Sequence, residues 1–364
     1  MEKGSDRVTL GKDDGLRPEL VILNERELAE GKIIGVDLGG TRVRAVLSTG
    51  TGQILARAEM PTQADQGLEH VLSNIKLTIN QVLGLADFSN LVGMAVGAPG
   101  PLNPFTGVVF SPPNLPGWSN VPLTAILEKE FHLPVYLGND ANLAALGEYT
   151  FGAGKDYRYL VYITVSTGVG GGVIEDGRIL QGAKGAAAEL GHMTIEYDGP
   201  RCNCGNIGCL EILTSGPSIR RRTIELLETG VASKLVDMVG GNLEDITPEL
   251  IAEAARQGDE AALRIIKETA FFLGVGVTNV LHLYNPEIVV IGGGVSKIGS
   301  MLFEPLIEVV HERAMPAFWE GVPIVPTDLG GDIGLYGSIA LVLQNYEEAR
   351  IRKQELAVVG EDEA

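Results

Sequence analysis

The chain has 364 residues, with 28 Lys and Arg against 47 Asp and Glu and a formal net charge of -19. Such an acidic balance repels nucleic acid and acidic lipid, so neither is expected as a partner, and the length favours two domains over one core. No apolar run approaches the ~20 residues of a membrane span, and the first residues lack the apolar segment of a signal peptide. A cytoplasmic protein is therefore expected.

The composition of the chain changes at Lys32. Residues 1–31 mix acidic and basic side chains around one short apolar patch at 20–23, and they are expected to form a loosely attached polar extension. From Ile33 the chain reads I-I-G-V-D-L-G-G-T-R-V-R-A-V-L, an apolar run, a glycine turn and an alternating run. This pattern predicts two strands joined by a tight turn. A P-loop or a dinucleotide fingerprint would instead lead from its glycines into a helix.

Loops rich in proline and glycine follow the next strand. Apolar residues at three- and four-residue steps predict a helix over 67–85, and a strand is predicted over 91–96. The segments G-A-P-G-P-L-N-P and S-P-P-N-L-P-G-W then exclude regular structure. A strand predicted over 134–137 ends in G-N-D-A-N at 138–142, which opens a helix through Glu148.

The pattern of strand, glycine turn and strand returns about 130 residues later. We predict a strand over 159–165, a turn over 166–172 with the sequence S-T-G-V-G-G-G, and a partner strand that begins at 173–174. Two such units indicate a duplication in which each domain brings one glycine hairpin to a shared cleft, and two unrelated hairpins are the alternative. The predicted domains span residues 32–138 and 139–343, and residues 344–364 are expected to form a helix end and an acidic tail.

The rest of the second half is predicted to be mainly helical. Helices are predicted over 217–229, 248–256 and 259–281. A strand predicted over 287–291 leads into three glycines at 292–294 and a further helix.

A cluster of metal-binding residue types lies between the second hairpin and these helices. The four candidate ligands are His192, Cys202, Cys204 and Cys209. Thiolates and an imidazole at this spacing suit tetrahedral Zn2+ and leave no open position for a catalytic water, so a structural zinc is predicted. Gly205 and Gly208 fit a tight ligand loop, and a chance cluster of reduced thiols is the alternative. Glu189 and Glu211 flank the cluster.

Six motifs together are similar to one known family. They are D-L-G-G-T at 37–41, G-A-P-G at 97–100, G-N-D-A-N at 138–142, S-T-G-V-G-G-G at 166–172, E-L-G-H at 189–192 and C-N-C-G-N-I-G-C-L-E at 202–211. In this order, from about residue 33 to residue 343, the chain resembles the ROK family, which groups bacterial sugar kinases with sugar-responsive repressors. The resemblance implies an α/β fold of the two-domain actin-like ATPase type, which is a duplicated ribonuclease H-like fold with a cleft between its domains.

Asp140 is the candidate general base. It follows a predicted strand and begins a predicted helix, so its carboxylate would project into the cleft. Capping the helix is the alternative role, which Asp fills well. The resemblance favours catalysis, because transfer of the γ-phosphoryl group of ATP to a sugar hydroxyl needs a base near that hydroxyl.

The resemblance also implies the other ligands. Asp37 would orient Mg2+ or its water shell beside the phosphates of ATP. The phosphate-binding and adenosine-side positions would be Gly39, Gly40, Thr41, Thr167, Gly168, Gly170, Gly293 and Gly294. The sugar-binding positions would be Gly100, Asn114, Asn139, Asp140, Glu189, His192 and Glu211. Plain turns are the alternative for the glycine loops, and solvated surface carboxylates are the alternative for Glu189 and Glu211.

The resemblance implies an ATP-dependent hexokinase. Glucose is the expected acceptor because the two proline-rich loops look more like those of the family's glucokinases than those of its N-acetylmannosamine kinases. N-acetylglucosamine, N-acetylmannosamine, mannose and fructose stay open as acceptors, and polyphosphate stays open as a donor. A sugar-sensing repressor is the alternative class. Its DNA-binding domain would precede the first hairpin, where this sequence has 31 residues with more Asp and Glu than Lys and Arg, so a kinase is favoured. The family further suggests a homodimer or homotetramer.

Overall fold

The computed structural model describes residues 25–362, with side chains for residues 26–351. Most of the predicted polar extension, including its apolar patch at 20–23, lies outside the described residues. Within the described range, no helix is both long enough and apolar enough to span a bilayer.

Strands and helices of the described chain are numbered in order. The strands are β1 (Lys32–Leu38), β2 (Arg42–Thr49), β3 (Ile54–Pro61), β4 (Leu91–Ala98), β5 (Leu102–Asn103), β6 (Val108–Val109), β7 (Val121–Pro122), β8 (Val135–Asn139), β9 (Leu160–Val165), β10 (Val169–Glu175), β11 (Arg178–Ile179), β12 (Ile288–Gly292) and β13 (Ile324–Pro326). The α-helices are α1 (Glu25–Glu30), α2 (Leu68–Leu85), α3 (Leu123–Phe131), α4 (Asp140–Phe151), α5 (Leu210–Thr214), α6 (Gly216–Glu228), α7 (Lys234–Met238), α8 (Pro248–Arg256), α9 (Glu260–Tyr284), α10 (Ser300–Arg313), α11 (Pro316–Trp319) and α12 (Ile333–Asp362). The four long helices predicted from apolar periodicity are confirmed as α2, α6, α8 and α9.

Two five-stranded sheets have the same internal order. The first sheet runs β3-β2-β1-β4-β8 and the second runs β11-β10-β9-β12-β13. In each sheet three consecutive strands pair antiparallel, and the two later strands extend the sheet in parallel. Strands β5, β6 and β7 form a small separate sheet. The repeated order confirms the duplication predicted from the two glycine hairpins.

The second glycine turn is shorter than the sequence predicts. Strand β10 begins at Val169, so the prediction of a turn over 169–172 is wrong, and only residues 166–168 connect the two strands. The glycines of β10 allow close packing instead. A Cβ on Gly172 would lie 2.6 Å from the Cβ of Ala145 in α4, and one on Gly171 would lie 2.5 Å from Leu190. Gly171 and Gly172 are therefore explained by neighbouring residues that pack closely against the backbone of β10, and not by a turn.

Helices α4 and α12 form a layer between the two sheets. Every residue of α4 from Ala141 to Glu148 is buried. Helix α4 packs on β9 and β10, whereas α12 packs on β1 and β4 as well as on α4. The two helices cross closely because Gly337 has no side chain: a Cβ there would lie 2.0 Å from the carbonyl oxygen of Leu143. The helix pair therefore joins the two sheets into one structure, and the exact domain boundaries stay a prediction.

The outer faces of the sheets are covered by separate sets of helices. Helix α2 packs on β2 and β3 of the first sheet through a buried stripe that includes Val71, Ile75, Ile79 and Val82. Helices α9 and α10 contribute buried side chains to the core that covers the second sheet. Helix α12 continues from Ile333 to Asp362, which is longer than the helix end predicted from residue 344.

Candidate active site

Three of the sequence motifs lie side by side at one edge of the first sheet. Asp37 of β1 is paired with Gly97 of β4, and Gly97 is paired with Gly138 of β8. These three strands are parallel, so their carboxyl ends share an edge, which is where ligands bind in sheets of this kind. The register thus brings together the glycine turn after Asp37, the G-A-P-G loop and the loop that carries Asn139 and Asp140.

Asn139, and not Asp140, occupies the N-cap position of α4. The Oδ1 atom of Asn139 accepts a hydrogen bond from the amide of Ala141 at 3.0 Å. Asp140 lies one residue further on, where its Oδ1 also accepts from the same amide at 2.8 Å. The capping role that the sequence left open for Asp140 is therefore filled by Asn139.

The environment of Asp140 favours its protonated form. Desolvation by the surrounding protein raises the pKa of Asp140 above its ordinary value. The negative charges of Asp37 and Glu189 raise this pKa further, whereas the hydrogen bond from Ala141 lowers it. The residue still keeps an exposed surface, as contact with a substrate requires. A carboxylate with a raised pKa is a better proton acceptor, which suits a general base.

Asp37 is held by an arginine on the neighbouring strand. Arg44 is directly opposite Asp37 in the β1–β2 pair, and its Nε donates to Asp37 Oδ2 at 3.0 Å. Arg44 Nη1 donates to the carbonyl oxygen of Gly331 at 2.7 Å, which fixes the guanidinium on its other side. The ion pair uses Oδ2 of the carboxylate. Oδ1 can therefore accept from the water shell of Mg2+, so the residues present fit the role predicted for Asp37.

The first glycine turn presents its tip to the same edge. The amide of Gly39 donates to the carbonyl oxygen of Arg42 at 2.9 Å and closes the hairpin, so this amide is already engaged. Gly40 and Thr41 form the tip. A Cβ on Gly40 would lie 2.9 Å from the Cβ of Asn114, which places Asn114 against the first glycine turn.

The second glycine turn and the loop after β12 are neighbours. Gly292 is paired with Thr164 across the parallel strands β12 and β9. A Cβ on Gly293 would lie 2.3 Å from the carbonyl oxygen of Val165, so only glycine fits there. Gly170, predicted as a phosphate contact, lies within β10, where a Cβ would lie 3.0 Å from the Cβ of Ala141. The structure thus leaves Thr167 and Gly168 at the tip of this turn.

A cavity of about 310 Å³ opens beside the second turn. The cavity is lined by the second glycine turn, by the loop after β12 and by the amino ends of α6 and α8. The lining residues are Ser166, Thr167, Gly216, Pro217, Arg220, Pro248, Glu249, Gly294 and Val295. The volume lies at the lower end of the range for small-molecule sites. Five of these lining residues, those from Gly216 to Glu249, were not predicted from the sequence, because their only local signal is a proline at the start of each helix.

The predicted zinc ligands converge. One donor atom from each of His192, Cys202, Cys204 and Cys209 can be chosen so that all four lie within 4.8 Å of one another. The Sγ atoms of Cys204 and Cys209 are 3.7 Å apart, and Cys202 Sγ is 3.9 Å from His192 Nδ1. Sulfur ligands about 2.3 Å from a tetrahedral zinc are about 3.8 Å apart. The four side chains therefore fit a Zn2+ ion.

Two glycines shape the loop that carries these ligands, as the sequence predicts. Gly205 and Gly208 have φ angles of 95° and 64°. A Cβ on Gly208 would lie 1.6 Å from the carbonyl oxygen of Glu196, so no other residue fits. The amide of Cys202 donates to the carbonyl oxygen of Asn206 at 2.8 Å and closes the loop. The backbone is therefore prearranged for the ligands.

The remaining predicted sugar-binding residues lie in different parts of the site. Gly100 lies beside Asn139, whose Nδ2 would be 3.3 Å from a Cβ at that glycine. Glu189 immediately precedes the single helical turn Leu190–His192, which ends at a predicted zinc ligand, and the charge of Glu189 acts on Asp140. Glu211 instead contacts the second glycine turn, where its Oε2 accepts from the amide of Val169 at 3.0 Å.

The repeated sheets, the shared helix pair and the two glycine turns define the two-domain actin-like ATPase fold, as predicted. The chain belongs to the ROK family, whose model matches residues 33–345. It is 40% identical over 314 residues to a glucokinase of Thermotoga maritima, an alignment that covers 85% of this chain and 97% of the relative. It is 34% identical to a xylose repressor of Caldicellulosiruptor bescii, covering 91% of this chain and 82% of the relative.

A solved structure extends this comparison. The ROK family glucokinase of Streptomyces griseus, in complex with glucose and AMPPNP, superposes with a TM-score of 0.71 at 33% identity, covering 86% of this chain and 100% of that chain. The family and the fold that the six motifs imply are therefore confirmed. The relatives include both kinases and repressors, so the choice between these classes depends on the site.

Proposed function

We propose that this chain transfers the γ-phosphoryl group of ATP to a hexose, and that glucose is the preferred acceptor. The observation that carries the proposal is the convergence of Asp37, Asp140 and a glycine turn at one sheet edge. The relative at 40% identity is named a glucokinase, and the Streptomyces griseus structure holds glucose together with an ATP analogue. Both support a sugar acceptor and a nucleotide donor.

In the proposed reaction Asp140 accepts the proton of a sugar hydroxyl. The oxygen forms a bond to the γ-phosphorus as the bond from that phosphorus to the ADP oxygen breaks, and ADP leaves. The amides and hydroxyls at the two turn tips, Gly40, Thr41, Thr167 and Gly168, would stabilise the charge on the transferring group. Mg2+ supplies charge neutralisation when bound, and Asp37 would hold it through water.

The sugar would be bound between α4 and the zinc loop. Asn139, Glu189 and His192 offer an amide, a carboxylate and a ring N–H, and these groups can each bond sugar hydroxyls. If Nδ1 of His192 binds the zinc, its other nitrogen is free to donate to the sugar. Because Glu189 and His192 belong to one helical turn, the zinc would act as a structural scaffold for the sugar site.

The cavity beside the second turn supports a nucleoside donor. Its lining includes Thr167, predicted to contact the phosphates, and Gly294, predicted to lie on the adenosine side. Polyphosphate has no base or ribose to occupy such a cavity. We therefore infer ATP as the donor, and a direct comparison of the two donors with glucose as acceptor tests this inference.

A panel of sugars tests the proposed function. With Mg-ATP, the zinc-loaded protein should show its highest kcat/KM for glucose, above those for mannose, fructose, N-acetylglucosamine and N-acetylmannosamine. ADP release measured for each sugar gives this ranking. The absence of turnover with every sugar in the panel would contradict the kinase assignment, and a different best acceptor would contradict only the choice of glucose.

A sugar-responsive repressor is the second candidate, and the match to xylose repressors favours it. Such a protein would bind a sugar without forming ADP. Calorimetry with xylose and glucose, beside the ADP assay, separates the two classes. Tight sugar binding without turnover would support the repressor.

The carboxylates around Asp140 predict a specific pH dependence. The base is active when ionised, so kcat/KM should fall as the pH drops through the pKa of Asp140, which lies above the ordinary value for an aspartate. Replacing Glu189 with Gln removes a negative charge that raises this pKa, so the acid limb of the profile should move to lower pH. Profiles of kcat/KM against pH for the two proteins measure the shift.

The exposed variant Glu69→Gln is a matched control and should leave that limb in place. An acid limb unchanged in Glu189→Gln would show that Glu189 exerts no charge effect on the base. A limb displaced equally in both variants would assign the shift to net charge.

A further inference from the structure

We propose that Glu211 is a positioning residue for the second glycine turn, which it holds in the conformation that receives the nucleotide phosphates. This inference rests on the proposed kinase function. It gives Glu211 a task on the nucleotide side of the cleft, whereas the sequence motif placed it among the sugar ligands. The contacts of helix α5 and of the first residue of helix α6 carry the inference.

The side chain of Glu211 secures one end of the turn. Glu211 lies in the first turn of α5, immediately after the loop of the zinc ligands. Its Oε2 accepts from the amide of Val169 at 3.0 Å, and Val169 is the first residue after the three-residue turn. A Cβ on Gly168 would lie 2.7 Å from the same Oε2 atom, so the carboxylate lies directly against the turn.

The start of α6 secures the other end of the turn. The amide of Gly216, the first residue of α6, donates to the carbonyl oxygen of Ser166 at 2.7 Å. Within the turn the amide of Ser166 donates to the carbonyl oxygen of Gly168 at 2.8 Å. Glu211 of α5 and Gly216 of α6 therefore hold the two ends of a turn whose tip consists of Thr167 and Gly168. Loss of the Glu211 contact would release one end and disorder the tip.

The charge of Glu211 separates this role from phosphate binding. A carboxylate beside the turn repels phosphate, so it cannot increase nucleotide affinity through its charge. It can increase affinity only as a hydrogen-bond acceptor that orders the turn. Glutamine keeps an acceptor oxygen and removes the charge, whereas alanine removes both.

The experiment is calorimetric titration of the zinc-loaded protein with Mg-AMPPNP in the absence of sugar. Glu211→Ala should raise the dissociation constant for Mg-AMPPNP about tenfold, as expected for the loss of one hydrogen bond to a charged group. Glu211→Gln should retain an affinity within about threefold of the wild type. Glu225→Ala, an exposed position on α6, is the matched control and should bind as the wild type does. Zinc content and melting temperature, measured for each variant, show whether it is folded.

Two results would overturn the inference. One is a Glu211→Ala protein that binds AMPPNP as tightly as the wild type while glucose binding weakens, which would leave Glu211 as a sugar ligand alone. The other is an equal loss in the Gln and Ala variants, which would mean that the acceptor atom does not matter. Because AMPPNP binding needs no turnover, both results can be read even if no hexose is phosphorylated and the proposed function fails.

Gly168→Ala provides an independent test if Glu211→Ala does not fold. The backbone of Gly168 is not in the left-handed region, so alanine is tolerated apart from its contact with Glu211. Gly168→Ala should weaken AMPPNP binding in the wild type by displacing the carboxylate. Glutamine at position 211 has the same length and keeps the acceptor, so Gly168→Ala should weaken AMPPNP binding to a similar extent in the Glu211→Gln background. A Gly168→Ala protein that binds AMPPNP as tightly as the wild type would contradict the proposed contact.

Discussion

Replacing Asp140 with Asn should lower kcat for glucose phosphorylation by about 10²- to 10⁴-fold, the usual effect of removing a positioned general base. The amide has the size of the carboxylate and can still bond a sugar hydroxyl, but it cannot accept the proton. Glucose affinity should therefore stay largely intact. Steady-state kinetics give kcat, and calorimetry with glucose gives the affinity.

The matched variant Asp156→Asn, at an exposed position outside the cleft, should keep the kcat of the wild type. If Asp140→Asn loses glucose affinity in parallel with kcat, Asp140 has a structural role in the sugar site. If it retains kcat, another residue takes the proton.

Asp140→Asn should also make the protein more stable at neutral pH. The pKa of Asp140 is raised in the folded state, so the folded state binds more protons than the unfolded state between the two pKa values. Stability conferred by this group therefore falls as the pH rises through that interval. Asparagine removes this loss, and because Asp140 is partly exposed the melting temperature should rise by only about 1–2 °C. Calorimetry at pH 7 and below pH 4 should show the difference disappearing in acid.

Much of the fold could be predicted because local patterns were consistent with the tertiary structure. Apolar alternation on both sides of D-L-G-G-T predicts the first hairpin, and the structure has it at Lys32–Thr49. Apolar steps of three and four residues predict α2 and α9 because each helix buries one face. The zinc ligands could be predicted because four donors of one chemical class lie within 18 residues of sequence.

Other features depend on contacts that no local pattern encodes. The glycines at 170–172 have the composition of a turn, yet they lie in β10 because α4 and Leu190 pack directly on that strand. The placement of α12 between the sheets depends on its glycine contact with α4. Arg220 and Glu249 reach the cavity only because α6 and α8 converge there.

Some predictions remain untested by these observations. The sugar and phosphate contacts, the zinc and magnesium ions, the domain boundaries, the homodimer or homotetramer and the cytoplasmic location all stay predictions. Asn114 and Glu211 show why the role of a residue is harder to predict from the sequence than the fold is. Each belongs to a motif that suggests the sugar, but each contacts a glycine turn in the fold.

Replacing Cys204 with Ser should release the zinc and weaken glucose binding without changing any proposed sugar ligand. Cys204 is the exposed member of the cluster, whereas Cys202 and Cys209 are buried, so its replacement disturbs the core least. Without the ion, His192 loses the bond that fixes its ring, and the helical turn shared with Glu189 loses an anchor. Ordering two such side chains on binding costs on the order of 1 kcal/mol each, so glucose affinity should fall by about 10- to 100-fold.

Metal analysis by mass spectrometry and calorimetry with glucose measure the two effects of Cys204→Ser on one sample. Asn203→Ser, at the exposed neighbouring position, is the matched control and should keep both the zinc and the affinity. A metal-free Cys204→Ser protein with wild-type glucose affinity would disprove the coupling through His192. If Glu211 acts as proposed, the same loss of zinc should also weaken Mg-AMPPNP binding, because α5 begins directly after Cys209. The zinc loop would then support both substrates, one from each end of a segment of 23 residues from Glu189 to Glu211.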